Sequence, residues 1–243
     1  MKKLLLVVVA VVVSVSTFAQ KPAEKKKKDW TKVTSRAGDH LMFQISNDRW
    51  MGTPDSVKSH MKGFARGFNA YVMLDKVFKG APQFSVAFGV GFSSSNLYFK
   101  NYGIELKSGN ATLPFRSLDS ADHFKKYKLA MSYLEIPIEL RYSYDPENDT
   151  KSIKAAIGFK VGTLLNVHTK GKILQDKNNK VLYNYTQKEA NRHFFNSTRL
   201  AATARIGYGN FSIFGSYQIN NLFKDGVAAD TKLLQIGLTL SGL

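Results

Sequence analysis

Cysteine is absent from the chain. The fold therefore cannot rest on disulfides, and a thiolate metal site or a cysteine nucleophile is excluded. Histidine is scarce: the 5 present are scattered, with none at metal-ligand spacing, which argues against zinc. Acidic residues are also few, 18 against 35 lysines and arginines, for a formal net charge of +17. One uninterrupted hydrophobic run exists, residues 4–13. No other stretch approaches the roughly 20 apolar residues of a spanning helix, so a helical membrane domain is excluded.

That single run is too short for a spanning helix. Lys2 and Lys3 precede it, and the small residues Thr17 and Ala19 follow. The layout is that of a secretory signal peptide over residues 1–19, cleaved after Ala19 or Gln20, with a membrane anchor as the alternative. Loss of Lys2 and Lys3 would leave an exported chain of net charge +15. Outside the cytoplasm nucleic acid is not an expected partner; the charge is expected to face the phosphates of lipid head groups or lipopolysaccharide. Residues 20–38 carry Lys25, Lys26, Lys27 and Lys28 with little apolar periodicity, and read as a flexible basic periplasmic tail. Residues 39–243 are long enough for one large all-β domain.

In that domain the pattern becomes alternation with period two. Eight segments show it: residues 40–47, 67–78, 84–93, 129–144, 153–170, 200–208, 211–219 and 233–243. In the third, Phe84, Val86, Phe88, Val90 and Phe92 oppose Ser85, Ala87, Gly89, Gly91 and Ser93. A soluble surface would intersperse Lys and Glu. Here one face is nearly all Phe, Leu, Ile and Val, and the other is mostly Gly, Ala, Ser and Thr with isolated charges. Small residues suit a crowded lumen and the apolar face suits hydrocarbon, so the pattern is inside out.

The connections support this reading. Residues 79–82, 145–150 and 209–210 are short and rich in turn formers, whereas 49–62, 94–128, 169–199 and 220–232 are long. Regular alternation of short and long links is the asymmetry of a bacterial outer-membrane barrel, and an even strand number returns both termini to the periplasm. Closure is required because an open edge in lipid would leave backbone groups unpaired. The expected fold class is therefore all-β: an eight-stranded antiparallel up-and-down transmembrane β-barrel. Tyr142, Tyr144, Tyr208, Phe211 and Phe78 near the short turns, and Trp50, Tyr98, Phe99, Tyr102 and Tyr127 toward the long loops, suggest two aromatic girdles at head-group level.

The decapeptide Tyr133-Leu134-Glu135-Ile136-Pro137-Ile138-Glu139-Leu140-Arg141-Tyr142 resembles a stretch characteristic of the porin-family, PorT-like outer-membrane β-barrel proteins of Bacteroidetes. The leader ending Phe18-Ala19-Gln20 and the segment Gly89-Val90-Gly91-Phe92 are similar to that group as well. The resemblance implies an outer-membrane location and an OmpX-like eight-stranded barrel. Some members are linked to secretion, but kinship of fold does not carry a role across, and the word porin implies no pore here.

The polar residues of the small-residue face are the first candidates. Glu135, Glu139, Arg141, Lys154, Lys160 and Arg205 should enter the lumen. Pairing across the turn at residues 145–152 brings Lys160 level with Pro137, diagonal to Glu135 and Glu139. Eight strands leave an interior wide enough only for side chains, so these charges are expected to form a salt-bridged plug that needs no cofactor. An ion or proton path is the alternative. Residues 170–199 are basic and aromatic; Lys177, Lys180, Lys188 and Arg192 are candidate contacts for lipopolysaccharide, the alternative being a solvated loop. An enzyme would resemble lipid-modifying barrels and draw on Ser120, His123, Asp119 or Asp122, and His168, but proximity in a loop does not supply triad geometry. The expected function is a binding, scaffolding or secretion-accessory barrel rather than an enzyme, with envelope or secretion proteins as further partners. A lipid-modifying enzyme and a soluble periplasmic ligand-carrying barrel are the alternatives.

Overall fold

The computed structural model describes residues 40–242. The signal peptide and the basic tail expected from the sequence lie outside the described residues.

Eleven strands form where the alternation predicts them and beyond. They are β1 (Leu41–Met51), β2 (Arg66–Phe78), β3 (Ala81–Phe99), β4 (Tyr102–Ile104), β5 (Phe115–Ser117), β6 (His123–Ser143), β7 (Ile153–Gln175), β8 (Val181–Ala190), β9 (Thr198–Tyr208), β10 (Phe211–Gln218) and β11 (Lys232–Ser241). A one-turn helix, α1 (Asp55–Lys58), interrupts the link from β1 to β2. Strands β6, β3, β2, β1, β11, β10, β9 and β7 pair in that order, and pairing of β6 with β7 closes the ring. The result is a closed antiparallel barrel of eight strands, all neighbours in sequence order apart from the excursions β4–β5 and β8. Every strand edge within the ring is thereby paired, which hydrocarbon demands.

The faces are inside out. Ile45, Ile157 and Ile213 point outward with 60%, 64% and 60% of their surface exposed, whereas the lumenal Gln44, Glu135 and Gln235 retain 5%, 1% and 0%. A soluble protein would reverse those figures, so the soluble carrier barrel is excluded. Pro137 pairs with Lys160 in the β6–β7 ladder, as the sequence register predicts. At the short-turn end, Tyr144, Tyr208, Phe211 and Phe78 are exposed, as a girdle requires.

Three expectations need correction. First, the stretches read as long loops are partly strand: β3, β6 and β7 run for 19, 21 and 23 residues, about twice the 9–11 that cross a bilayer. They project beyond the membrane, and β8 pairs with the far half of β7, so residues 170–199 form largely a β-hairpin. Second, the β6–β7 register shifts so that Ser132 faces Asn166 while Tyr133 faces Leu164. Leu165 is the extra residue of a bulge, which reverses the faces of β7 beyond it. Val167 is consequently buried and Asn166 exposed, the opposite of strict alternation. Third, Trp50, Phe99, Tyr102 and Tyr127 form no outer girdle: all four turn inward and are buried, leaving Tyr98 on the outside.

Candidate functional site

Two layers fill the interior. The lower layer, near the short turns, is polar. Its small-residue neighbours are a packing requirement: a Cβ on Gly162 would lie 2.8 Å from Cγ of Glu135, so a larger residue there would displace the carboxylate. Glu135 is the hub of one cluster. Arg199 Nη1 lies 2.9 Å from its Oε1 and Lys160 Nζ 3.6 Å from its Oε2, while the Tyr71 hydroxyl donates to Oε2 at 2.6 Å. Lys160 in turn donates to the Tyr71 hydroxyl at 3.2 Å. The Arg199 guanidinium also donates to Gln235 Oε1 at 3.1 Å and stands 5.1 Å from the Tyr133 ring centre. Gln235 donates to both carboxylate oxygens of Asp48, at 3.2 and 3.1 Å.

Glu139, four residues nearer the short-turn end of β6, gathers the second cluster. Arg141 Nε donates to its Oε2 at 3.0 Å and Arg205 Nη2 at 3.2 Å. Arg141 Nη1 also lies 3.9 Å from Asp75 Oδ2. Lys154 is buried in the same end of the lumen, opposite Ser143 on one neighbour and Gly207 on the other. The sequence reading puts Glu135, Glu139, Arg141, Lys154, Lys160 and Arg205 in the lumen with Lys160 diagonal to both glutamates; in the structure Lys160 pairs with Glu135, and Glu139 takes Arg141 and Arg205 instead. The sequence reading misses Arg199, Tyr71, Gln235, Asp48 and Asp75. Charged groups this deeply buried are tolerable only when paired and hydrogen-bonded. Between the clusters, a space of about 10 Å³ lined by Gln44, Glu139, Lys160 and Arg205 is the size of one water.

The upper layer is apolar. Trp50, Phe99, Tyr102, Ile104, Leu106, Leu113, Phe194, Phe195, Leu222 and Phe223 pack into one cluster with Leu129, Met131 and Tyr133. Trp50 meets Phe99 and Phe223 edge-on at 5.8 and 5.7 Å, and Phe195 lies 5.0 Å from Phe223. The segments linking the strands therefore fold back over the mouth, and Tyr127 ties one of them down by accepting from the Ile104 amide and donating to its carbonyl, each at 3.0 Å.

The surface candidates are dispersed. Lys177 and Lys180 lie at the β7–β8 hairpin tip, where Asp176 Oδ1 accepts from the Lys180 amide at 2.9 Å. Lys188 stands in β8 opposite Lys170. Arg192 Nη1 donates to the Leu164 carbonyl at 3.1 Å, fastening the end of the hairpin to the bulge. Of the residues weighed for catalysis, His123 faces the Ala121 carbonyl at 3.1 Å and Asn179 at 3.3 Å, and His168 faces Asn166 at 3.2 Å. Neither imidazole is set between a hydroxyl and a carboxylate.

Residues 14–225 match the model of the outer membrane protein beta-barrel domain family. Among solved structures, the attachment invasion locus protein Ail of Yersinia pestis is similar at 15% identity, with 83% of this chain and 95% of that one covered and a TM-score of 0.35. Ail in complex with the heparin analogue sucrose octasulfate aligns at 14% identity over the same shares, with a TM-score of 0.32. A mutant of the Rh. blastica porin aligns at 9% identity over 82% of this chain and 98% of that one, with a TM-score of 0.20. No curated protein matches the chain. Most of the sequence lies within the matched family, and its strands close as that family's name describes: this chain belongs to the outer membrane protein beta-barrel domain family and is an eight-stranded barrel of the outer membrane.

Proposed function

We propose that the protein is a closed barrel that works by binding or scaffolding at the membrane surface, as a fixed platform for envelope or secretion proteins, and neither conducts solutes nor catalyses a reaction. The observation that carries this reading is the doubly filled interior. Ion pairs around Glu135 and Glu139 occupy the lower lumen, and an aromatic cluster covers the upper mouth. An eight-stranded ring is wide enough for side chains and little else. The strands that project beyond the bilayer, by contrast, offer a rigid surface. The even strand number and the short links at residues 79–80, 144–152 and 209–210 favour periplasmic termini. The decapeptide at residues 133–142 favours PorT-like kinship and a secretion-accessory role. Purified protein in a planar bilayer should show no stable conductance steps; reproducible open-channel currents would overturn the closed-lumen reading.

A further inference from the structure

The outward face of the barrel changes character abruptly above the apolar band. On β6 the outward residues run Ile136, Leu134, Ser132, Ala130, Lys128 and Lys126; beyond the bulge, the outward positions of β7 include His168, Lys170 and Lys172. The ladders set these lysines side by side. Lys128 pairs with Lys170 and Lys126 with Lys172, and Lys170 also pairs with Lys188 of β8. Three lysines thus stand in one row across three strands, with two more in the next row.

Directly opposed like charges destabilise a sheet. A soluble surface relieves this by alternating signs, yet no carboxylate shares these rows: Glu189 pairs with Thr169, whose side chain is buried on the other face. No ion pair engages Lys126, Lys128, Lys170, Lys172 or Lys188 among the described residues; Lys128 donates to Asn96 Oδ1 at 2.6 Å. Tyr98, opposite Lys128, walls a basin of about 220 Å³ that four of the lysines line.

We infer that this basin is a binding site for a phosphorylated glycolipid of the outer leaflet, with Lys126, Lys128, Lys170, Lys172 and Lys188 holding the phosphates of its saccharide headgroup. Its direction and height identify the occupant. The lysines project sideways from the wall, toward neighbouring lipid, rather than upward from the mouth. Lys128 stands six residues above the outward Leu134, about 20 Å along a tilted strand and less in height. Only Ser132 and Ala130 intervene on β6, and only Ser94 and Asn96 separate Phe92 from Tyr98 on β3. A molecule whose acyl chains lie against Phe92 and Leu134 would therefore carry its headgroup into the basin. Several ammonium groups on one phosphate cluster form charge-assisted hydrogen bonds, and the anion removes the repulsion that the rows otherwise store. This gives a ligand to the proposed binding role, while the conductance measurement remains independent of it.

The test compares the full barrel in nanodiscs with a Lys126→Gln/Lys128→Gln/Lys170→Gln/Lys172→Gln variant, its all-Arg counterpart, and a Lys177→Gln/Lys180→Gln control at the hairpin tip. The probes are rough-type lipopolysaccharide, the same material after removal of its phosphates, and a soluble sulfated polysaccharide. Intact lipopolysaccharide should bind the wild type at least tenfold more tightly than the Gln variant, with the Arg variant and the tip control near wild type. Without lipopolysaccharide the Gln variant should melt no lower than the wild type, because relief of the repulsion in both rows offsets the one hydrogen bond from Lys128 to Asn96. The dephosphorylated probe should bind the wild type as weakly as intact material binds the Gln variant, a comparison that needs only native protein if the variant does not fold. Undiminished binding by the Gln variant, equal binding of the dephosphorylated probe, loss only in the tip control, or displacement of lipopolysaccharide by the sulfated polysaccharide would each overturn the assignment.

Discussion

The lower and upper halves of the interior are both enclosed by the same ring, yet they are filled by opposite chemistry. Near the short turns, Glu135 and Glu139 are each surrounded by cations. Near the opposite mouth, Trp50, Phe99 and Phe223 make a dry aromatic cluster. The lower half is narrow and bounded on all sides by hydrogen-bonded strands, so its order comes from the ring. The upper half contains the links between strands, which lie outside the ring's ladder apart from the short β4–β5 pairing within one link, and must bury apolar surface to become ordered. The charged layer makes the lumen specific and the aromatic layer makes the surface rigid.

That contrast can be broken most forcefully at Arg199. Arg199→Ala removes the closest cation from Glu135 and leaves a buried carboxylate with Lys160 at 3.6 Å and the Tyr71 hydroxyl. Removing one partner of a buried pair typically costs roughly 3–5 kcal/mol. The loss should appear as a lower urea midpoint for unfolding of the whole barrel from lipid vesicles. Replacing Glu135, Lys160 and Arg199 together with apolar residues of similar size should recover most of it. A single-site cost near zero would mean that the ion pairs fill the lumen without stabilising it.

Phe223 sharpens the same comparison from the other side. Its ring contacts Phe195 at 5.0 Å, Trp50 at 5.7 Å and Phe115 at 6.1 Å, so Phe223→Ala opens a cavity costing about 3 kcal/mol. Because the cap is built from links, the effect should be local. Amide exchange and protease cleavage should increase in residues 52–65, 100–122 and 219–231, while the boiling-dependent shift in gel mobility that reports a closed barrel persists. Loss of that shift would show that the two layers fold as one unit.

The lower layer was far more legible than the upper. Strict alternation around Glu135, Glu139 and Arg141 assigns faces directly, and the Pro137–Lys160 register follows from one turn. Arg199 shares the parity of Ala201 and Arg205 in β9 and would have been found by extending that strand two residues toward its start. A strand begun at Leu200 leaves Arg199 in the preceding link and hides it. The Leu164–Leu165 pair hides the bulge, since either leucine continues an apolar face and only the ladder shows which is extra. The cap was misread for a different reason: aromatics at strand ends have the same composition whether they anchor in head groups or turn inward to form a core. Nothing local distinguishes Tyr98 from Phe99 except the face each occupies, and the cap's partners, Phe195 and Phe223, come from distant links.

The smallest expected effect lies on top of the cap, where a histidine joins two of those links. His60, on the link carrying α1, directs Nδ1 to the Ser56 carbonyl at 2.8 Å and Nε2 to Asp119 Oδ2 at 3.0 Å, and stacks on Tyr102 at 4.7 Å. Both ring nitrogens face acceptors, so the protonated imidazole fits best. The hydrogen bond to Asp119, opposed by burial and aided by the Ser56 carbonyl, raises the His60 pKa. Hydrogen bonds from His60, Ser117 and Asn101 lower that of Asp119 to about 2. The raised histidine contributes stability that is fully present below its ordinary pKa of about 6.5 and is lost as pH rises through the raised value. The lowered carboxylate contributes stability that is present above its ordinary pKa of about 3.9 and is lost as pH falls toward its folded value. The clasp should therefore be firmest between about pH 4 and 6.5 and loosen in mild alkali. Amide exchange of residues 101–119 should quicken modestly from pH 5.5 to 8.5, after correction for intrinsic exchange, in the wild type but not in His60→Gln. An identical pH response in that variant would place the titrating group elsewhere and leave the cap held by its aromatic contacts alone.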